Sequence, residues 1–136
     1  MISRVDVLVL IACLGAGTFV AVPRHARLAA DSRHDEVTAL TRSATMAARL
    51  AHARWLAANQ PATLDGPRGV VAMTYGYPSP ATLPLLLAEA ETATFGYHGG
   101  VWQHGGVGGD RPCGVAYSPP AAPGQNPAIS PRTSGC

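Results

Sequence analysis

The sequence predicts an α+β chain, with one long N-terminal helix followed by short strands and loops. Three observations carry this. An apolar run, VDVLVLIACLGAGTFVAVPR from Val5 to Arg24, opens the chain. A stretch without Gly or Pro, dense in the good helix formers Ala, Arg and Leu, follows from Arg27 to Asn59. Gly and Pro, 15 and 12 in all, crowd the second half, where turns and short strands are expected.

The charge-free run from Val7 to Pro23 is seventeen residues. That is the short end of the roughly 17 to 25 that cross a bilayer. It exceeds the roughly 7 to 15 of a signal-peptide core and lacks a small-residue cleavage site. An anchor that stays attached is expected, with Cys13 inside it as a free thiol behaving as a small apolar residue. Arg24, Arg27 and Arg33 follow the run and Arg4 precedes it, which by the positive-inside rule places the bulk of the chain in the cytoplasm. The cysteines point the other way. Cys113 and Cys136 bracket a Gly/Pro-rich tail with no second pair nearby, which suits a loop-closing disulfide and not zinc. Such a bridge persists in an oxidising compartment. A basic leader removed ahead of Met1 reconciles the two.

Beyond the anchor, Val37, Leu40, Ala44, Ala47, Ala51 and Trp55 fall at steps of three and four and share one helical face. The stripe is mostly alanine, which lets another backbone approach closely. Asn59-Gln60-Pro61 stops the helix, because Pro disfavours helical geometry in the residue before it. The expected organisation is an apolar helix over 1–26, an amphipathic helix over 27–60 and a β-rich, loop-rich region over 61–136. If continuous, the helix is roughly 80 Å long, at about 1.5 Å per residue. A 14.0 kDa chain cannot bury that much helix. Its second half therefore packs on the domain, and its first half enters a membrane or other subunits. A break or bend is expected near Pro23. Gly15, Gly17 and Pro23 make this the weakest stretch of the helix.

The remaining elements are short. Leu64–Gly69 (LDGPRG) reads as a turn cluster, and Val70–Tyr75 as a strand rich in β-favouring residues. Gly76–Pro80 breaks that strand, and Thr82 caps a short helix running to Ala88. Strands are expected over Thr92–Tyr97, Val101–Gln103 and Cys113–Tyr117. Pro127–Pro131 reads as an edge piece, since proline donates no ladder hydrogen bond.

Composition narrows function. The 136 residues suffice for one compact domain. Charged residues are 13% and the net charge is +2, with no footprint for nucleic acid. Every basic residue is Arg, which excludes lysine-dependent phosphate loops and Schiff bases. No catalytic residue is expected: the 5 His are dispersed, and no Ser or Cys sits in a nucleophile elbow. GGVGGD (105–110) lacks the GK[ST] of a phosphate loop and reads as a flexible surface loop. His98 and His104 offer too few ligands for a closed metal site. Tyr75, Tyr77, Phe95, Tyr97 and Trp102 are expected to fill a small core.

An acidic residue near the start of an apolar helix, Gly within the run and Pro-Arg closing it resemble a mature type IV pilin. VVAMTYGYP (70–78) resembles the segment after the long helix in pilins related to the mannose-sensitive haemagglutinin type. CGVAYSPP and GQNPAISPRTSGC resemble the disulfide-bounded C-terminal loop of that group. The resemblance runs through most of the chain. It implies a type IV pilin-like fold, with the long helix packed on a small antiparallel β-sheet and a Cys113–Cys136 bridge. Asp6 takes the place of the family's near-terminal glutamate, which is proposed to pair with the N-terminal amine of an adjacent subunit, here that of Met1. Gly15 and Pro23 take its helix-weakening positions. The implied function is the structural subunit of an extracellular type IV pilus, a helical filament of identical subunits. Its implied partners are the inner membrane before assembly and the pilus assembly machinery, with no cofactor, metal or nucleic acid. The chain departs from the family in its Asp instead of Glu, placed one residue later relative to Met1. It also lacks the N-terminal Phe, the basic leader and the Gly cleavage point. The alternatives are a pseudopilin of a type II secretion system, for which no acidic calcium cluster is visible, and a singly anchored periplasmic binding module.

Overall fold

The structure, a computed structural model, describes the backbone of residues 4–136 and the side chains from residue 24 onward. It divides into two compact units, Met1–Ser32 and Arg33–Cys136. In the first, the described backbone is helix, the beginning of α1 (Arg4–Ala57). The helix assignment passes through Gly15, Gly17 and Pro23 without interruption, so the break expected near Pro23 is not seen. A single interior proline removes one hydrogen bond and leaves the ladder on either side of it. Among the described residues, no helix is long and apolar enough to cross a membrane. The side chains of the apolar run, Cys13 among them, lie outside those described.

In the second unit the remainder of α1 packs on antiparallel sheets. Val37, Leu40, Ala44 and Ala51 are buried, as their spacing requires. The stripe then drifts: Ala48 is buried in place of Ala47, and Trp55 is only half-buried. The helix ends in a left-handed cap. Asn59 has φ 61°, the Gln60 N–H donates to Trp55 O at 2.9 Å, and the Asn59 N–H to Leu56 O at 3.4 Å. This Schellman pair satisfies the last carbonyls, and Asn tolerates the left-handed backbone that it needs. Pro61 follows directly, as the sequence requires.

One sheet contains β1 (Thr63–Gly66), β2 (Gly69–Thr74) and β3 (Tyr77–Pro78). Two corrections to the sequence reading follow. Leu64–Gly66 belong to a strand, not a turn cluster, and the turn is confined to Pro67–Arg68 between the paired Gly66 and Gly69. Tyr77–Pro78 pair back onto Thr74 and Met73 instead of ending the sheet. The two-residue loop between β2 and β3 has φ 49° at Tyr75 and φ 87° at Gly76. Positive φ at both positions is what a tight hairpin of this twist demands.

A 3-10 turn over Leu83–Leu86 takes the place of the expected short helix. Thr82 stands at its N-cap position without capping it: its hydroxyl accepts from Ala72 N–H at 3.1 Å and lies 3.2 Å from Ala72 O. The single-turn helix α2 (Glu89–Thr92) occupies the start of the strand expected from Thr92.

The second sheet runs β4 (Phe95–His98), β5 (Val101–His104), β6 (Gly114–Ser118) and β7 (Ala128–Arg132), in that order. β7 is an edge strand, with Pro131 opposite Val115. Trp102, Val115 and Tyr117 join Val37, Leu40, Ala44, Leu83 and Leu87 in one core. Gly114 permits the closest approach: a Cβ there would lie 1.7 Å from Trp102 O. Two tyrosines of the second sheet bond to β3 and the segment just after it. Tyr97 donates to Pro80 O, and Tyr117 donates to Pro78 O at 2.6 Å.

Candidate functional site

The residues assigned to assembly, Met1 and Asp6, lie outside the described side chains, so no pairing of Asp6 is described. Of the sequence-predicted site residues, those whose side chains are described are Cys113 and Cys136, and they form a disulfide. Cys113 is fully buried beside β6 and belongs to the core. The bridge therefore fixes the end of the chain to the packed interior, not to a surface loop. Two backbone bonds hold the same end, Gly135 N–H to Pro112 O at 2.8 Å and Cys136 N–H to Thr133 O at 3.1 Å.

A third attachment comes from α1. Arg33 donates from Nε and Nη2 to Cys136 O at 3.0 and 2.7 Å, a forked charge-assisted contact. One turn later Glu36 Oε2 accepts from Thr94 Oγ1 at 2.7 Å and from His104 Nε2 at 3.0 Å. The Gly106 N–H points at His104 Nδ1 across 3.0 Å, so Nδ1 accepts and Nε2 carries the hydrogen given to Glu36. These contacts hold the helix against the end of β5, at His104, and against the segments at Thr94 and Cys136. Their geometry is that of a brace and leaves His104 without a free ring nitrogen. His98, six residues earlier, is exposed and sits at the other end of the β4–β5 pair, opposite Val101, whereas His104 is opposite Phe95.

The structure also assembles a site that the sequence does not suggest. Tyr75 is 48% exposed, not in the core as expected. With His52, Trp55 and Tyr77 it lines a cavity of about 530 Å³, whose other wall is the loop Pro123–Asn126. The rings are held in place. His52 stacks on Tyr77, centroids 4.3 Å apart, and its Nδ1 donates to Gly76 O at 2.7 Å. Trp55 Nε1 donates to Pro61 O at 2.9 Å. A Cβ at Gly76 would lie 2.7 Å from Trp55 Cζ3, so glycine brings the hairpin onto the ring. The only sequence signal for this grouping is Tyr-Gly at a hairpin turn, which projects an aromatic residue outward.

No family model, curated protein or solved structure matches this chain.

Proposed function

We propose that the chain is the structural subunit of an extracellular type IV pilus, held in the inner membrane as a monomer and polymerised through its N-terminal apolar helix. The observation that carries this reading is that the charge-free run from Val7 to Pro23 falls within one helix assignment, α1 over Arg4–Ala57. A helical run of seventeen residues without charge reaches the short end of a bilayer span and is suited to lipid or to packing against other subunits. The α+β unit with its Cys113–Cys136 bridge agrees with the pilin resemblance and with an oxidising compartment. The test is to shear cells producing the chain and sediment the supernatant. Filaments composed of the chain support the reading. Chain found only as membrane-bound or soluble monomer contradicts it.

A further inference from the structure

We propose that the turn at His104–Val107 is a proton-driven switch in which acidification turns over the Gly105–Gly106 peptide, whether or not the chain polymerises. The turn is closed by the Val107 N–H, which donates to His104 O at 3.2 Å. Neither central glycine has positive φ, as in a type I turn. The Gly106 N–H donates to His104 Nδ1 at 3.0 Å, and the other ring nitrogen gives its hydrogen to Glu36 Oε2 at 3.0 Å. This arrangement needs a neutral imidazole, because Nδ1 accepts only while it carries no proton.

Histidine ordinarily gains its second proton between roughly pH 8 and pH 5. With Nδ1 protonated, N–H faces N–H at a side chain that is nearly buried, and a buried donor without an acceptor is costly. One local rotation removes the conflict. Turning the central peptide over puts Gly105 C=O where the Gly106 N–H stood, so Nδ1–H gains an acceptor. The same rotation takes a type I turn to type II, leaves the closing bond to Val107 in place and demands positive φ at the third turn residue alone. That residue is Gly106, for which positive φ carries no steric cost. A Cβ there would also crowd the imidazole, at 3.2 Å from Nδ1 and Cε1.

The frame around the turn holds in both states. The Gly105 N–H is bound to Thr94 O at 2.8 Å, and Val107 packs against the core. Glu36 keeps its bond to Nε2, which then comes from a cation and is stronger. Besides Glu36, α1 brings up Arg33, whose Cδ lies 3.9 Å from the Cβ position of Gly106 and whose guanidinium is given to Cys136 O. From β4 the ring of Phe95 meets the imidazole edge to face, and His98 of β4 and Arg132 of β7 line the same open cavity as His104. Within the loop, Asp110 Oδ1 lies against Gly108, 2.9 Å from its Cβ position.

The experiment is heteronuclear NMR on the full isotope-labelled chain in detergent micelles, titrated from about pH 8 to about pH 5. It follows the His104 ring nitrogens with the Gly105 carbonyl and the Gly106 and Val107 amides, exchange rates being corrected for the intrinsic effect of pH. The expected result is that Gly106 protection falls about tenfold or more, with the midpoint of the His104 ring, while Val107 protection is unchanged. The Gly105 carbonyl should shift with the same midpoint. His104→Gln keeps a donor for Glu36 and removes the Nδ1 acceptor, so Gly106 should be unprotected at both ends of the titration. The proposal is overturned if Gly106 keeps its protection while the ring titrates, or if the ring stays neutral throughout. It is equally overturned if Val107 loses protection with Gly106, since the loop then melts instead of switching, or if the pH response survives in His104→Gln.

Discussion

Tyr117, on β6, donates its phenolic hydrogen to the carbonyl oxygen of Pro78, on β3, across 2.6 Å in the buried interior. This one bond joins strands of different sheets. Burial pushes the Tyr117 hydroxyl well above its ordinary pKa of 10.0, with the neighbouring Tyr97 and Tyr77 adding to the shift. Tyr97 is raised too, first by burial and in spite of a hydrogen bond with Gly100 that lowers it.

The consequence is a loss of stability in alkali. The unfolded chain releases these protons near pH 10, whereas the folded chain holds them to higher pH. The stabilisation is therefore complete below about pH 10 and declines above it, as the unfolded state alone ionises. Urea unfolding at pH 8, 10 and 11 should show this decline, and Tyr117→Phe should flatten it. At pH 8 that variant should lose about 1 to 3 kcal/mol, since Pro78 O is left buried without its donor.

The Arg33 fork and the disulfide act on the same residue, so their effects should couple. Closing a loop of sequence separation 23 contributes roughly 3 kcal/mol on the chain-entropy estimate. Arg33→Met should cost about 1 to 2 kcal/mol in the oxidised protein. In the reduced protein it should cost less, because Cys136 is no longer held under the guanidinium. Thermal melts of both proteins with and without reductant give the four values. Alkylating the denatured, unreduced protein should label a single cysteine, Cys13.

Gly114→Ala should be severely destabilising, by about 4 kcal/mol or more, since the new methyl meets the Trp102 carbonyl and the β5–β6 pair must open. Gly109→Ala is the matched control. A Cβ there meets nothing within 4 Å, and its effect should stay within about 0.5 kcal/mol. Denaturant midpoints distinguish the two.

What the sequence made legible follows from which forces are local. Val37, Leu40, Ala44 and Ala51 were readable because a helix repeats its buried face every three to four residues. Ala128–Arg132 was readable as an edge because proline cannot serve a central strand. Leu64–Gly66 was not, because its turn-like composition yields to pairing with Gly69, Val70 and Val71 across the hairpin. Thr82 had the chemistry of a cap, but its hydroxyl is taken by Ala72 in the neighbouring strand. The Arg33 and Glu36 contacts reach 103 and 68 residues along the chain, and no local pattern encodes such pairings. The aromatic cavity escaped for the same reason, since its walls come from α1, the β2–β3 hairpin and the loop at Pro123–Asn126.

Asp6→Asn separates an assembly residue from a passive interfacial acid. Removing one partner of a buried ion pair costs roughly 3 to 5 kcal/mol, because the other charge is left uncompensated. If Asp6 pairs with the amine of a neighbouring subunit's Met1, the variant should remain in the membrane fraction and yield no sheared filaments. Normal filament yield would remove Asp6 from the assembly mechanism.

The central claim is that the apolar part of α1 is the polymerisation element. A near-atomic map of native filaments bearing this chain tests it most directly. The account predicts a helical array with Val5–Pro23 of every subunit packed together on the filament axis and the Cys113–Cys136 loop facing solvent. It also predicts the helix drawn out of α-geometry between Gly15 and Pro23, where two glycines and a proline leave it weakest. An array built through the sheets, with the apolar segments still in lipid, would contradict the account.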